Sequence, residues 1–216
     1  MGLIATLLGS RLPERYQKYL NLPESLESYK FSDTGDTPFG RAASRWADRS
    51  AGSNGALRLD LGSDALGVRI AMVERAERSI DIQSYLIKND LSGNLVALKL
   101  AEAADRGVRV RLLMDDALTQ PIDRGLLSLD DHPNIEVRVF NPFPRRRSRF
   151  VSFIANFNIL NRRMHNKSFT ADNQLSIVGG RNLADEYFRT DGVEEFIDED
   201  LLLVGPVVDQ ISDGFD

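Results

Sequence analysis

An α/β fold is predicted for most of this chain, on two observations. Between residues 57 and 140, runs with the two-residue repeat of strands alternate with runs carrying the apolar repeat of helices. Glycine and proline punctuate the joins, as at Gly107 and Pro133. Strand-helix-strand order of this kind argues for parallel neighbours joined by right-handed crossovers.

Residues 1–55 read as an appendage and linker. In "RLPERYQKYLNLPESLESYKF", Pro13 and Pro23 are each placed to open a short helix. The following "SDTGDTPFGRAASRWADRSAGSNGA" is rich in Ser, Gly, Asp and Thr, which reads as loop. The regular domain is expected over 56–216. In "DALGVRIAMVERAERS", Leu66, Ile70, Val73 and Ala76 share a helical face, with Ser63 or Asp64 as N-cap. "SIDIQSYLI" alternates as a strand. "SGNLVALKLAEAADRG" is a second helix, stopped by Gly107. "VRVRLLMDD" and "IEVRVFNP" are strands, separated by a short helix in "PIDRGLLSLDDHP". "HNKSFTA" and "QLSIVGG" form a hairpin turning at Asp172-Asn173, where short polar side chains tolerate a tight turn. "DEDLLLVGP" is an apolar strand, and "VVDQISDGFD" starts a helix within which the sequence stops, so the domain is expected to be truncated there.

Bulk properties narrow the function. The chain has 216 residues, 42% hydrophobic and 27% charged, an ordinary balance for a globular domain. Its net charge of −5 gives no uniformly basic surface, and nucleic acid is not an expected partner. There is no cysteine, which excludes disulfide and thiolate chemistry. No apolar run reaches the roughly 18–20 residues that a membrane-spanning helix needs. The N-terminus "MGLIATLLGSRLP" loosely fits a myristoylation pattern at Gly2 and Thr6, or a short membrane-touching segment. Peripheral attachment at an inner membrane, or a cytoplasmic location, is the expectation.

The chemistry concentrates in "RRMHNKSFTADNQLSIVGGRN". Residues two apart on a strand point the same way, which puts His165 and Lys167 on one face about 7 Å apart. Gly179 and Gly180 end the returning strand and leave a floor that a ligand can approach closely. Asn182 offers an amide near that floor, or else caps the helical turn of "LADEYF". An imidazole, an ammonium, an amide and open backbone donors suit a tetrahedral oxyanion. No second histidine, cysteine or carboxylate stands at metal-ligand spacing beside His165, so no metal site is expected. Without a serine elbow or a Walker loop, the remaining reading is an imidazole acting on phosphorus. One ring nitrogen then needs an acceptor to set the tautomer, and Asp198 or Asp200 can supply it. Asp115-Asp116, at a strand end, are candidates to line the substrate entrance. "PRRRSRF", interleaved with Phe143, Phe150, Phe153 and Phe157, is either a solvated connection or a patch for anionic headgroups. His132, in "DDHPN", reads as loop.

His165, Lys167, Asp172, Gly179, Gly180 and Asn182 reproduce the H-x-K-x4-D-x6-G-G-x-N signature, by which the chain resembles the phospholipase D superfamily. "IDIQSYLIKNDLSG", "AADRGVRVRLLMDD" and "HPNIEVRVFNPF" extend the similarity to the N-terminal half of bacterial cardiolipin synthases, nearest the cardiolipin synthase C branch. The resemblance covers about residues 57–216. It implies an α/β/α sandwich around a mixed, largely parallel sheet, one of two such halves. It implies that His165 attacks the phosphodiester and becomes a phosphohistidine, that Lys167 and Asn182 hold phosphate oxygens, and that Asp198 orients the imidazole. Asp172 belongs to the same signature, with a role more structural than chemical. The implied reaction is transfer of a phosphatidyl group from a phospholipid such as phosphatidylglycerol to another lipid's hydroxyl, with no cofactor. Hydrolysis of a lipid, a dimeric nuclease, and a non-catalytic half-domain binding lipid or a partner are the rivals. A second histidine motif is missing from these residues, so the partners implied are a membrane surface and a second half, from the same protein or a homodimer mate.

Overall fold

In a computed structural model of the chain, the described residues are 28–115, 129–140, 163–188 and 196–216. The two proline-opened helices, the "PRRRSRF" run with its phenylalanines, Asp116 and most of the helix expected over 121–133 lie outside them.

The first helix among the described residues, α1 (Pro38–Ser50), stands where the sequence reads as linker. Its start has a clear local cause: the Thr37 hydroxyl accepts from the Gly40 N–H at 3.0 Å, and Pro38 presets the first helical residue. Phe39 enters the core, so this segment packs against the domain. Strand β1 (Gly55–Leu59) leads to α2 (Gly62–Arg75), then β2 (Ser79–Ser84), α3 (Leu91–Asp105) and β3 (Arg109–Asp115). Asp90 caps α3 by accepting from Gly93 N–H at 2.9 Å, and Gly107 ends it in the left-handed region at φ +94°. Strand β4 (Ile135–Phe140), the hairpin β5 (Ser168–Ala171) and β6 (Leu175–Gly179), a short 3-10 turn (Asp185–Tyr187), β7 (Asp200–Val204) and α4 (Val207–Asp213) complete the order.

Helix α2 departs from its expected frame. It starts at Gly62 with no side-chain cap, and its buried side is Ala65, Arg69, Met72 and Val73. Leu66 and Ile70 are only half-buried, because a buried ion pair described below turns Arg69 inward. The closing helix, expected to run to the last residue, ends at Asp213.

The seven strands form one sheet in the order β1-β7-β6-β5-β2-β3-β4. Only β2–β3 and β3–β4 pair in parallel; the other four neighbouring pairs are antiparallel. The sheet is mixed, as expected, but antiparallel pairs outnumber parallel ones. The α3 crossover makes β2 and β3 parallel, whereas β5 and β6 are joined by a two-residue turn that permits only antiparallel pairing.

The core cluster includes Ile80, Ile82, Val96, Leu100, Val110 and Phe169. All six residues of β2 are buried, so both faces of the sheet centre are covered. On the face opposite Ile80 and Ile82, Asp81 binds the Arg111 guanidinium through two hydrogen bonds of 2.7 and 2.8 Å. Residues at both ends of the described chain join that face. Arg111 also donates to the Ser28 carbonyl at 2.6 Å, pairs with Asp216 at 2.8 Å and stacks on Phe215.

Candidate functional site

The mixed topology brings several loops to one end of the sheet. Strands β2 and β3 run into it and end at Ser84 and Asp115. Strand β5 runs antiparallel to β2, so its approach, residues 165–167, starts there. Strand β6 ends there at Gly179, paired with Asp200 at the start of β7. His165, Lys167, Gly179, Gly180, Asn182 and Asp198 are thus gathered by register.

His165 and Lys167 precede the first paired residue of β5. Asp115 positions this approach: fully buried, it accepts from the Met164 N–H at 2.9 Å and from Arg163 at 3.0 Å. That task is what the structure gives Asp115, in place of lining an entrance. His165 is exposed and Lys167 half-buried. The Lys167 ammonium donates to the His165 carbonyl at 2.9 Å. Both side chains touch one ring, that of Tyr85, the first residue after β2. The His165 and Tyr85 ring centroids are 5.1 Å apart, and the Lys167 Nζ lies 5.5 Å from the Tyr85 centroid. Burial pulls the Lys167 pKa below its ordinary value, and the Asp198 carboxylate opposes this.

The glycines serve a different purpose from the one expected. A side chain at Gly179 would meet the Asp200 carboxylate at 2.0 Å, and one at Gly180 the Asp198 carboxylate at 2.1 Å. Their floor is therefore occupied by two acids. Their N–H groups are also engaged, Gly179 with the Lys167 carbonyl at 3.4 Å and Gly180 with the Glu199 carbonyl at 3.1 Å. These are not the open backbone donors that the spacing suggests.

The two acids differ. Asp200 is fully buried and bound to two arginines, Arg69 at 2.9 Å and Arg181 at 3.5 Å. Arg181 further donates to the carbonyls of Leu59 and Asp60 at 2.9 and 2.6 Å. Burial lowers the Arg69 pKa, Asp200 raises it and Arg181 lowers it again. Asp200 is thus committed to a buried cluster of two cations and one anion. Asp198 is half-buried beside Gly180 and Lys167. Among the described residues, neither acid hydrogen-bonds the His165 ring. A small cleft of about 10 Å³ is lined by Lys167, Arg69, Arg181, Gln83 and Ser84, so the buried arginines border the same cleft as the lysine.

Two signature residues are engaged elsewhere. The Asn182 amide oxygen accepts from the Leu86 N–H at 3.2 Å, and its nitrogen donates to the Tyr187 hydroxyl at 2.8 Å. It caps no helix, since the residue preceding the 3-10 turn is Ala184. Asp172 lies at the opposite end of β5 from His165. Fully buried, its carboxylate accepts from the N–H groups of Glu77, Arg78 and Ser79 at 2.8 to 3.2 Å, which fixes the start of β2. His132 is a loop residue: its Nδ1 accepts from the Asn134 N–H at 3.1 Å and its Nε2 faces Asp105 at 3.3 Å.

Tyr85, Arg69 and Arg181 escaped the sequence reading. Tyr85 carried one usable signal, its place just past a strand at the sheet edge where α/β sites form. The arginines carried none, since an arginine in an amphipathic helix or after a strand reads as solvated.

The sequence pattern of the family described as "Cardiolipin synthase, PLD-like domain" matches residues 70–204. Cardiolipin synthase C of Escherichia coli (strain K12) is 47% identical over 164 residues, covering 76% of this chain and 35% of that protein. The chain spans about a third of the length of curated relatives that it matches at 37–47% identity. Among solved structures, the phospholipase D family member Nuc from Salmonella typhimurium aligns with a TM-score of 0.50 and 16% identity, covering 76% of this chain and 88% of that one. Phosphatidylserine synthase from Haemophilus influenzae Rd KW20 aligns with a TM-score of 0.53 and 13% identity, covering 79% of this chain and 39% of that one. At such identities these structures speak for the fold alone.

Proposed function

This chain belongs to the phospholipase D-like domain family of cardiolipin synthase, and on that premise we propose that it supplies one half of a phosphatidyltransferase site. The observation that carries the reading is the pairing of an exposed imidazole with a half-buried ammonium at one end of the sheet, beside a buried cluster with one more arginine than acid. An imidazole nitrogen of His165 attacks the phosphorus of a phospholipid such as phosphatidylglycerol. The bond from phosphorus to the leaving alcohol breaks, and that oxygen takes its proton from a histidine on a second half. A hydroxyl of the second lipid gives its proton back to that histidine and attacks phosphorus, which breaks the P–N bond and frees His165.

Lys167 is proposed to neutralise the nonbridging oxygens, aided by the arginines of the same cleft. Asp198 serves by holding Lys167 as a cation. Asn182 reaches a phosphate oxygen only by releasing Tyr187; in the free chain it braces the loop beside the site. Gly179 and Gly180 make room for the two acids. Asp172 acts on the fold alone. A membrane surface and a second half, in the same protein or a homodimer mate, are the partners this reaction needs.

The test is incubation of the full-length gene product with phosphatidylglycerol labelled in its phosphorus. Cardiolipin and free glycerol are expected, with an acid-labile phosphoryl label on the protein that His165→Ala abolishes. Phosphatidic acid as sole product would favour hydrolysis, and label surviving in His165→Ala would refute the assignment of the nucleophile.

A further inference from the structure

The residue that joins the candidate nucleophile to its cation is an aromatic one. Tyr85 is half-buried at the end of β2, with its ring tilted 55° to that of His165 at a 5.1 Å centroid separation. Tilted, offset contacts of this kind are favoured because the edge of one ring meets the electron-rich face of the other. The Lys167 ammonium, 5.5 Å from the same centroid, is within reach of the attraction between a cation and that face. Among the described residues, the Tyr85 hydroxyl makes no hydrogen bond, so its ring accounts for its contacts here.

We propose that Tyr85 is a positioning residue, whose ring sets the plane of the His165 imidazole and holds the Lys167 ammonium beside it so that both meet one phosphate. The part of this that concerns phosphate rests on the function proposed above; the contact itself does not. A ring contact has two advantages over a carboxylate in this place. It orients the imidazole without occupying either ring nitrogen, which leaves one free to attack. It also steadies the ammonium without cancelling its charge, which stays available to the phosphate oxygens.

The chain contains two histidines, so the His165 ring protons can be assigned by comparison with His132→Gln. In the unsubstituted chain, a nuclear Overhauser cross-peak between the Tyr85 ring and the His165 ring is expected, together with a ring-current shift of the imidazole protons. Tyr85→Phe should keep both, while Tyr85→Leu should return the imidazole to the shift of a free histidine. Titration with inorganic phosphate, followed on His165, should weaken by about fivefold or more in Tyr85→Leu and stay within about twofold in Tyr85→Phe, since only the ring face is needed. A missing cross-peak, an unchanged imidazole shift in Tyr85→Leu, or equal phosphate affinity in the three proteins would overturn the proposal. If Tyr85→Leu fails to fold, the cross-peak in the unsubstituted chain still decides. If the unsubstituted chain takes no phosphate at all, the phosphodiester reading fails, and the shift comparison alone judges Tyr85.

Discussion

Lys167 illustrates how a single side chain can be unfavourable to the fold and useful to the site. Burial lowers its pKa from the ordinary 10.5, with Asp198 opposing. The unfolded chain therefore holds this proton more tightly than the folded one. Below the folded pKa the desolvated charge destabilises the fold in full. That penalty fades as pH rises from the folded pKa toward 10.5, above which the lysine is neutral in both states. Lys167→Met should accordingly melt above the unsubstituted chain at neutral pH, with the gap closing under alkaline conditions, while phosphate binding is lost. Thermal melts over a pH series check this, and a lower melting point at neutral pH would contradict it. Asp172 presents the converse case. Asp172→Ala removes the acceptor of one buried and two part-buried N–H groups, and at roughly 1 kcal/mol for a buried lost partner and less for the others the fold should lose about 2 kcal/mol. Denaturant unfolding measures that loss. A folded fraction of the variant should keep the His165–Tyr85 contact, because the two ends of β5 are independent.

At the scale of elements, the hairpin and the β6–β7 junction explain why this signature has fixed spacing. Asp172 and Asn173 both adopt φ near +51°, the left-handed conformation of a two-residue hairpin turn. A change in that turn length would shift the register and separate His165 from Gly179. The glycines then make distinct predictions. In Gly179→Ala, the added methyl meets backbone of the neighbouring strand, with Glu199 O at 2.5 Å and the Asp200 Cα at 2.7 Å. That strand must move, and it carries the buried Asp200 with it. We expect a loss of about 3–5 kcal/mol, the scale of breaking a buried ion pair. In Gly180→Ala, the clash is with the Asp198 side chain, which can turn away. We expect near-normal stability in that variant, with the Lys167 pKa lowered further because its nearby acid has left. Comparison of the two by denaturant unfolding, and of Lys167 by its side-chain NMR titration, tests the distinction.

The whole molecule places one histidine-lysine pair at one end of one sheet. The other histidine of the sequence, His132, is held in a loop by Asn134 and Asp105. In the reaction proposed above, the leaving alcohol takes its proton from a second half. The chain alone should accept at most one phosphoryl group from an activated diester such as bis(4-nitrophenyl) phosphate and then release it slowly. Burst kinetics read this directly: a burst without turnover is expected, and sustained turnover by a monomer would show that a second histidine is unnecessary.

Much of this was legible locally. The hairpin could be read because a tight polar turn, alternating residues and terminal glycines all act within a few positions along the chain. His165 and Lys167 could be paired on paper because neighbours two apart on an extended chain share a side. Helix α1 carried its own start signal in Thr37-Pro38, which the surrounding Gly and Ser obscured. What sequence alone could not decide were contacts between residues far apart in the chain. Arg69 reaches Asp200, Tyr85 meets His165, and Asp172 grips the start of β2, each across at least 80 positions. The antiparallel half of the sheet, which creates these meetings, depends on which strands close the lowest-energy core. Local patterns determined most of the helices and strands and singled out the candidate site residues. The burial of charges decided what each acid and arginine does there, because a charge removed from water must find its partner wherever the fold supplies one.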